Sequence, residues 1–359
     1  MAITNVTFST IDTNGSYGPK IQPMDDDNGS SRNEFDPVDY PDTARLVTII
    51  GGAIILLGGL FLNSMTIKTI YKTPKLHNVT YLFLVLLNGN DIVFSVWSIT
   101  FIVITDIYNK WIFGSGFCQA FAFVNGTLLG LELFMLMFIT MSRYIKVVHP
   151  QYFNIIFTKK SIMGMILFAI IFVTACLLPP LTGMWGEIEY IARKNICSFK
   201  DKNDNYHMFL EGITVLLPLT VIIISYVRIY IVVHNQSKTL KRHSLMPNGD
   251  TKRPPSNTML KRKERQLTKT LVALVVTFIL SYTPYLVVAG VDKEIQYPIL
   301  HRIATILLWS NSCWNNVVLV GMNSQFRDYW LAQLKCKDVP ADHSPVVKRV
   351  SDSTNIPPE

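Results

Sequence analysis

The chain has 359 residues, of which 49% are apolar and 16% charged, with a formal net charge of +8 and a positive mean hydropathy. A soluble chain of this length would divide into two or three domains with more charge on their surfaces. Here the apolar residues gather in long runs, and the basic excess is read as a topology signal rather than a nucleic-acid surface.

Residues 1–43 are rich in Gly, Ser, Asn, Asp and Pro and are expected to be a disordered tail. They carry Asp25, Asp26, Asp27, Glu34, Asp36, Asp39 and Asp42, and acceptor sequons at Asn5, Asn14 and Asn28. No apolar leader stands ahead of the first long run, which is expected to act as its own insertion signal.

Seven apolar runs of bilayer-spanning length follow, at about Leu46–Ile67, Tyr81–Ile104, Phe117–Ile145, Ile162–Leu181, Met208–Val233, Leu267–Gly290 and Ile299–Met322. In hydrocarbon the backbone must satisfy its own hydrogen bonds, so runs of this length read as helices. The fold class is an all-α integral membrane protein, a seven-helix bundle over residues 44–336. Lys68, Lys72, Lys75, Lys146, Lys159, Lys160 and the basic stretch Lys238–Lys269 follow spans one, three and five. Positive-inside therefore puts the N-terminus outside and the C-terminus in the cytosol, with the plasma membrane the expected location. Asn78, Asn125 and Asn235 also head sequons, but in spans or on the cytosolic side, where they should stay bare.

Cys118 and Cys197 both fall outside, in an oxidising compartment, and can pair. Cys176 and Cys313 sit within spans and read as small buried apolar residues. Cys336 follows span seven on the cytosolic side and is a candidate for palmitoylation. Residues 236–263 include Met246-Pro247-Asn248-Gly249-Asp250 and Pro254-Pro255, so this loop is expected to be largely unstructured, its ends extending spans five and six. Ser324–Lys335 sets Phe326, Tyr329, Trp330 and Leu334 at helical spacing against basic residues, the pattern of an amphipathic helix on the inner leaflet. Residues 337–359 form a polar tail whose Ser351, Ser353 and Thr354 could be phosphorylated.

An ordered set of motifs runs through the spans: Asn63, Asp91, Cys118, Ser142-Arg143-Tyr144, Pro218, Tyr226, Ser281-Tyr282-Thr283-Pro284 and Asn315. In order and spacing the chain resembles class A, rhodopsin-like G-protein-coupled receptors over residues 44–336. In the texture of Trp111–His149 it resembles melatonin-like and related invertebrate orphan receptors. The resemblance implies an extracellular ligand, a heterotrimeric G protein, arrestin and a receptor kinase as partners, in contact with membrane lipid, and no enzyme activity.

The same resemblance assigns candidate sites. Asp91, Glu132, Asn311, Ser312 and Asn315 would form a mid-bundle sodium or proton cluster, with Asp91 and Glu132 as the ion's carboxylates. Glu132 replaces the small hydroxyl residue usual there, and two close carboxylates either trap a cation or share a proton; one neutral, hydrogen-bonded acid is the plainer alternative. Arg143, Tyr144, Tyr226 and Glu264 would form the G-protein switch, Glu264 latching Arg143, with Ser142 in place of the usual acid. Pro284 is expected to bend span six. Span seven departs from the family at Asn315-Asn316-Val317-Val318-Leu319, which lacks the expected proline and tyrosine.

Phe121, Asn125, Leu129, Glu211, Tyr282, Tyr285 and Trp309 would line the ligand cavity. Aromatic rings with one acid suit a small polar or cationic ligand or a peptide, unless Glu211 only pairs with His207. Trp309 stands where opsins carry the retinal lysine, so retinal is not expected, and no cofactor beyond a sodium ion is implied. The competing classes are an atypical scavenging or trafficking receptor with weak coupling, which the span-seven departure keeps open, and a transporter. A transporter should distribute charges along a continuous path.

Overall fold

The computed structural model describes residues 40–200, 206, 209–210, 212–244 and 255–335. Among these, seven helices are long and apolar enough to cross a membrane: Asp42–Lys72, Val79–Tyr108, Ser115–Val148, Lys159–Leu181, Gly212–Asn235, Gln266–Val291 and Pro298–Met322. They are called spans one to seven below, and each overlaps one of the apolar runs. Leu57, Leu280, Ile54 and Ile171 are 65–69% exposed on the outside of the bundle. Large apolar side chains are placed at such exposure by a hydrocarbon solvent, which makes their exposure costless.

Inside, one core cluster joins spans two to seven around Leu84, Leu87, Phe134, Phe138, Leu271 and Leu274. Spans three and four pack closely at Gly130, where a Cβ would meet Val173 Cγ1 at 2.7 Å. Without a side chain there the backbones can approach, as small residues permit between membrane helices. A second cluster near the outer end gathers Trp97, Phe101, Trp111, Phe113, Phe117 and Phe121, with ring centroids 5.0–6.4 Å apart.

Several features were not expected. Span two carries a π-turn at Ser95–Ile99 and span five opens with one at Gly212–Leu216. Each shifts the residues beyond it around the helix axis. The helices of spans five and six continue as Leu217–Ser244 and Pro255–Val291. Both ends of the loop thus extend the spans, as the sequence led us to expect, but by more residues than its composition suggested, and Pro284 lies within the second of these helices. The outer loop between spans four and five forms an antiparallel hairpin, β1 (Glu187–Ile191) and β2 (Ile196–Lys200), with Tyr190 opposite Cys197.

Helix Ser324–Leu334 follows span seven. Asn323 starts it by accepting the Phe326 N–H at 3.1 Å, and its amide donates to Tyr81 Oη at 3.0 Å. Phe326, Tyr329 and Trp330 are its buried face and Leu334 is half-exposed. Asn5, Asn14, Asn28, Glu211, Cys336 and residues 337–359 lie outside the described residues, as does the side chain of Glu264.

Candidate functional site: an outer cavity, a polar column and a cytosolic end

The hairpin roofs the outer end of the bundle. Cys197 of β2 is joined to Cys118 at the start of span three, with Cα atoms 5.3 Å apart. The turn of the hairpin is held by Arg302 of span seven. Arg302 pairs with Asp106 of span two at 3.0 Å, the side chains being 3% and 0% exposed. It also donates from Nη2 to the carbonyls of Lys194 (2.7 Å) and Asn195 (3.3 Å), and from Nε to Tyr40 Oη (2.7 Å). Asn195, in the left-handed region at φ 47°, donates to Asp106 Oδ1 at 2.7 Å and accepts from Tyr190 Oη. Arg45 of span one donates to the Asp106 carbonyl at 2.7 Å. One buried ion pair thereby ties spans one, two and seven to the roof. Burial pushes the Tyr190 phenol up to about 12, keeping it a neutral donor.

Beneath the hairpin lies a cavity that is partly open to the outside. Its walls are Phe94 and Ile102 of span two, Asn125 and Leu129 of span three, Lys194, Ile196 and Ser198 of the hairpin, Tyr285 of span six, and His301, Arg302, Thr305, Leu308 and Trp309 of span seven. Asn125, Leu129, Tyr285 and Trp309 of the expected set are on the wall. Phe121 is not: it is fully buried in the aromatic cluster. Tyr282 also stands off the wall, stacked on Phe278 at 5.3 Å and tilted against Tyr285 at 6.0 Å.

Glu211, the acid expected on the wall, lies outside the described residues. Among the described residues the ionisable groups of the wall are Lys194, His301 and Arg302, and no carboxylate lines it. Asp292, just beyond span six, sits behind His301 at 3.3 Å. The Gln296 and Tyr297 N–H groups donate to Asp292 at 2.8 and 2.9 Å and, Gln296 foremost, hold its carboxyl below the usual range. Burial pulls the Lys194 ammonium down, opposed by Asp292. Arg302 was legible as a charge inside an apolar run, a feature that marks a residue with a partner, whereas Asp106 lies just past the run that ends at Ile104. Lys194 had no such signal, because only the hairpin turns it inward.

Below the cavity a polar column runs down span seven. Asn311 donates to Glu132 Oε1, and Asn315 donates to Asp91 Oδ2 at 3.5 Å. Asn316 donates to Asn63 Oδ1 at 2.8 Å, and Asn63 donates to the Ser312 carbonyl at 3.2 Å. The Ser312 hydroxyl turns away from the acids to the Trp309 carbonyl at 3.0 Å. Oδ1 of Asn311 and of Asn315 are buried without a partner. Two carboxylates and two amide oxygens are hard donors, a set that fits a monovalent cation or a shared proton. Asn316 joins this column without having been foreseen.

At the end of the bundle away from the hairpin Arg143 is buried, within electrostatic reach of Tyr81 and Tyr226. Thr140 donates to Tyr226 Oη at 3.3 Å, and Ser142 bonds Thr80 of span two at 3.1 Å. Ser142 thus ties span three to span two, where an acid could have restrained Arg143. Leu319 is buried in the core and offers no hydroxyl to Tyr226. Gln266 of span six donates to the Met322 carbonyl at 2.9 Å and to Ser324 Oγ at 3.2 Å. That contact joins span six to the end of span seven.

A roofed outer cavity over a seven-helix bundle, with a buried arginine at the opposite end, is the architecture of a seven-helix receptor. The family model for the seven-transmembrane receptors of the rhodopsin family matches residues 62–318, and the chain belongs to that family, one of receptors and not enzymes. The G-protein coupled receptor moody of Drosophila pseudoobscura pseudoobscura is 25% identical over 91% of this chain, which spans 58% of that protein. Moody of Drosophila melanogaster is 26% identical, and the chain spans 50% of its length. Protein trapped in endoderm-1 of Drosophila melanogaster is 27% identical, with 85% of this chain and 84% of that protein covered. Squid rhodopsin shares the fold, with a TM-score of 0.72 at 23% identity over 85% of this chain and 90% of that one.

Proposed function

We propose that this chain is a plasma-membrane receptor, N-terminus outside, that binds an extracellular ligand under the hairpin and activates a heterotrimeric G protein. The observation that carries the reading is the continuity of span seven. It supplies Arg302 and Trp309 to the cavity, Asn311 and Asn315 to the two mid-bundle acids, and, at Met322, the carbonyl that Gln266 of span six holds. A ligand that changes the tilt or rotation of this helix acts on all three levels at once. Asp91, Glu132 and the free amide oxygens of Asn311 and Asn315 would hold a sodium ion or a shared proton, supplying a charge that biases the inactive arrangement. Retinal has no lysine at Trp309 to which it could attach. Arrestin and a receptor kinase are further partners in this reading.

Guanine-nucleotide exchange on a heterotrimeric G protein by the receptor in lipid nanodiscs tests it. Exchange above the empty-disc rate, abolished in Arg143→Ala, is expected. Equal rates with and without receptor would point instead to a scavenging or carrier role.

A further inference from the structure

Among the described residues three bases and no acid face the outer cavity, and the two carboxylates nearest them are already engaged. Asp106 is held by Arg302, Asn195 and their neighbours. Asp292 is engaged by His301 and by two backbone N–H groups. Lys194 shares only this second acid, and its burial works against its own charge. The hydrogen bonds of Arg302 are made by Nε and Nη2, so the Nη1 edge is not used in them. Charged groups fixed in a low-dielectric wall favour an incoming opposite charge more than exposed ones do. A cationic ligand would have to desolvate beside three bases.

The apolar residues lie deeper. Along span seven the step from Arg302 to Trp309 is two helical turns, roughly 10 Å at the usual rise. Leu308 and Trp309 there line the cavity together with Phe94 and Leu129. Head and tail therefore have separate walls.

Resting on the receptor reading above, we propose that the cavity takes a small anionic amphiphile. Its carboxylate or phosphonate-like head sits against Lys194, His301 and Arg302, and its apolar tail points down to Trp309.

Four probes with one octyl tail test the head: octanoate, octylphosphonate, octanol and octylamine, each titrated against the thermal unfolding of the full-length receptor in nanodiscs. The two anions are expected to stabilise it and the alcohol and amine not. Lys194→Gln should weaken octanoate roughly tenfold, the scale of one charge-assisted hydrogen bond, while Lys194→Arg retains it. Lys194 is the chosen position because its side chain is outside the Arg302–Asp106 pair, so the roof stays tied. Octylamine binding as well as octanoate, failure of both anions to bind, or octanoate binding indifferent to Lys194→Gln would each overturn the assignment. Basal nucleotide exchange, measured without any probe, separates the two readings. Its dependence on Arg143 stands or falls independently, and octanoate that binds through Lys194 without altering exchange counts against signalling alone.

Discussion

Arg302 and Asp106 stand 196 residues apart in the chain and 3.0 Å apart in the fold, one from span seven and one from span two. The pair is almost wholly buried and is shared with Tyr40, Asn195 and the Lys194 carbonyl. Removing one partner of such a pair leaves a charge with no solvent and no counter-ion, typically costing about 3–5 kcal/mol. Asp106→Asn and Arg302→Gln are each expected to lower thermal stability in nanodiscs by that order. The double variant should recover part of the loss, because neither charge is then stranded. Additive losses would show that the two side chains act separately.

The Cys118–Cys197 bond fastens the same roof from the other side, closing a loop across a sequence separation of 79 residues. A crosslink over a loop of this size commonly contributes about 2–4 kcal/mol. Cys118→Ala is expected to lower stability by that amount and to reduce surface expression. Intact-mass analysis finding both thiols free in the mature protein would reject the contribution.

The outer end also has a pH signature. Asp292 is held below its ordinary value, chiefly by the Gln296 N–H, with the Tyr297 N–H and His301 assisting. For an acid depressed on folding, the stabilisation is present above the unfolded value and is lost as pH falls through the folded one. Stability measured as pH falls below the ordinary aspartate range should therefore drop more steeply in the wild type than in Asp292→Asn. Parallel curves would remove Asp292 from the account of this loop.

The spans were legible because an apolar run long enough to cross a bilayer reads as a helix whatever packs beside it. The acid pair was legible for a related reason: Glu132 in such a run is conspicuous. Other features depend on geometry that local sequence does not encode. The π-turn at Ser95–Ile99 has no proline or glycine to announce it, yet it shifts the register between Asp91 and Ile102. The hairpin was readable in part, since Glu187-Ile188-Glu189-Tyr190 alternates polar and apolar residues, as half-buried strands do. What was not readable is that closing this hairpin over the bundle points Lys194 inward. The basic rim of the cavity was therefore missed, although most of its deeper wall was foreseen.

At mid-bundle, Asp91 and Glu132 each accept a hydrogen bond from a span-seven asparagine. Two acids this close favour either a bound cation or a shared proton. Glu132→Ser removes one acid and leaves Asp91 to act alone. Nucleotide exchange in that variant is expected to depend more on sodium and less on pH than in the wild type. Unchanged sodium and pH profiles would leave the pair a structural hydrogen-bonded cluster.

The switch prediction rests on the cytosolic ends of spans three, six and seven. Arg143 is buried beside Tyr226, and Ser142, at the position before it, bonds Thr80 of span two. Gln266 holds span six to the Met322 carbonyl and to Ser324. Outward movement of span six must break both bonds, each contributing about 1 kcal/mol. A bias of about 1.4 kcal/mol changes a two-state ratio tenfold. Gln266→Ala should therefore raise basal exchange several-fold without altering ligand affinity by more than the same linkage requires. Glu264→Ala is expected to raise it as well if Glu264 latches Arg143, and combining it with Gln266→Ala then shows whether the two restraints act independently. Arg143→Ala should abolish exchange in every background while ligand binding persists. Silence of both span-six variants, with full exchange retained in Arg143→Ala, would remove the switch from this end of the bundle.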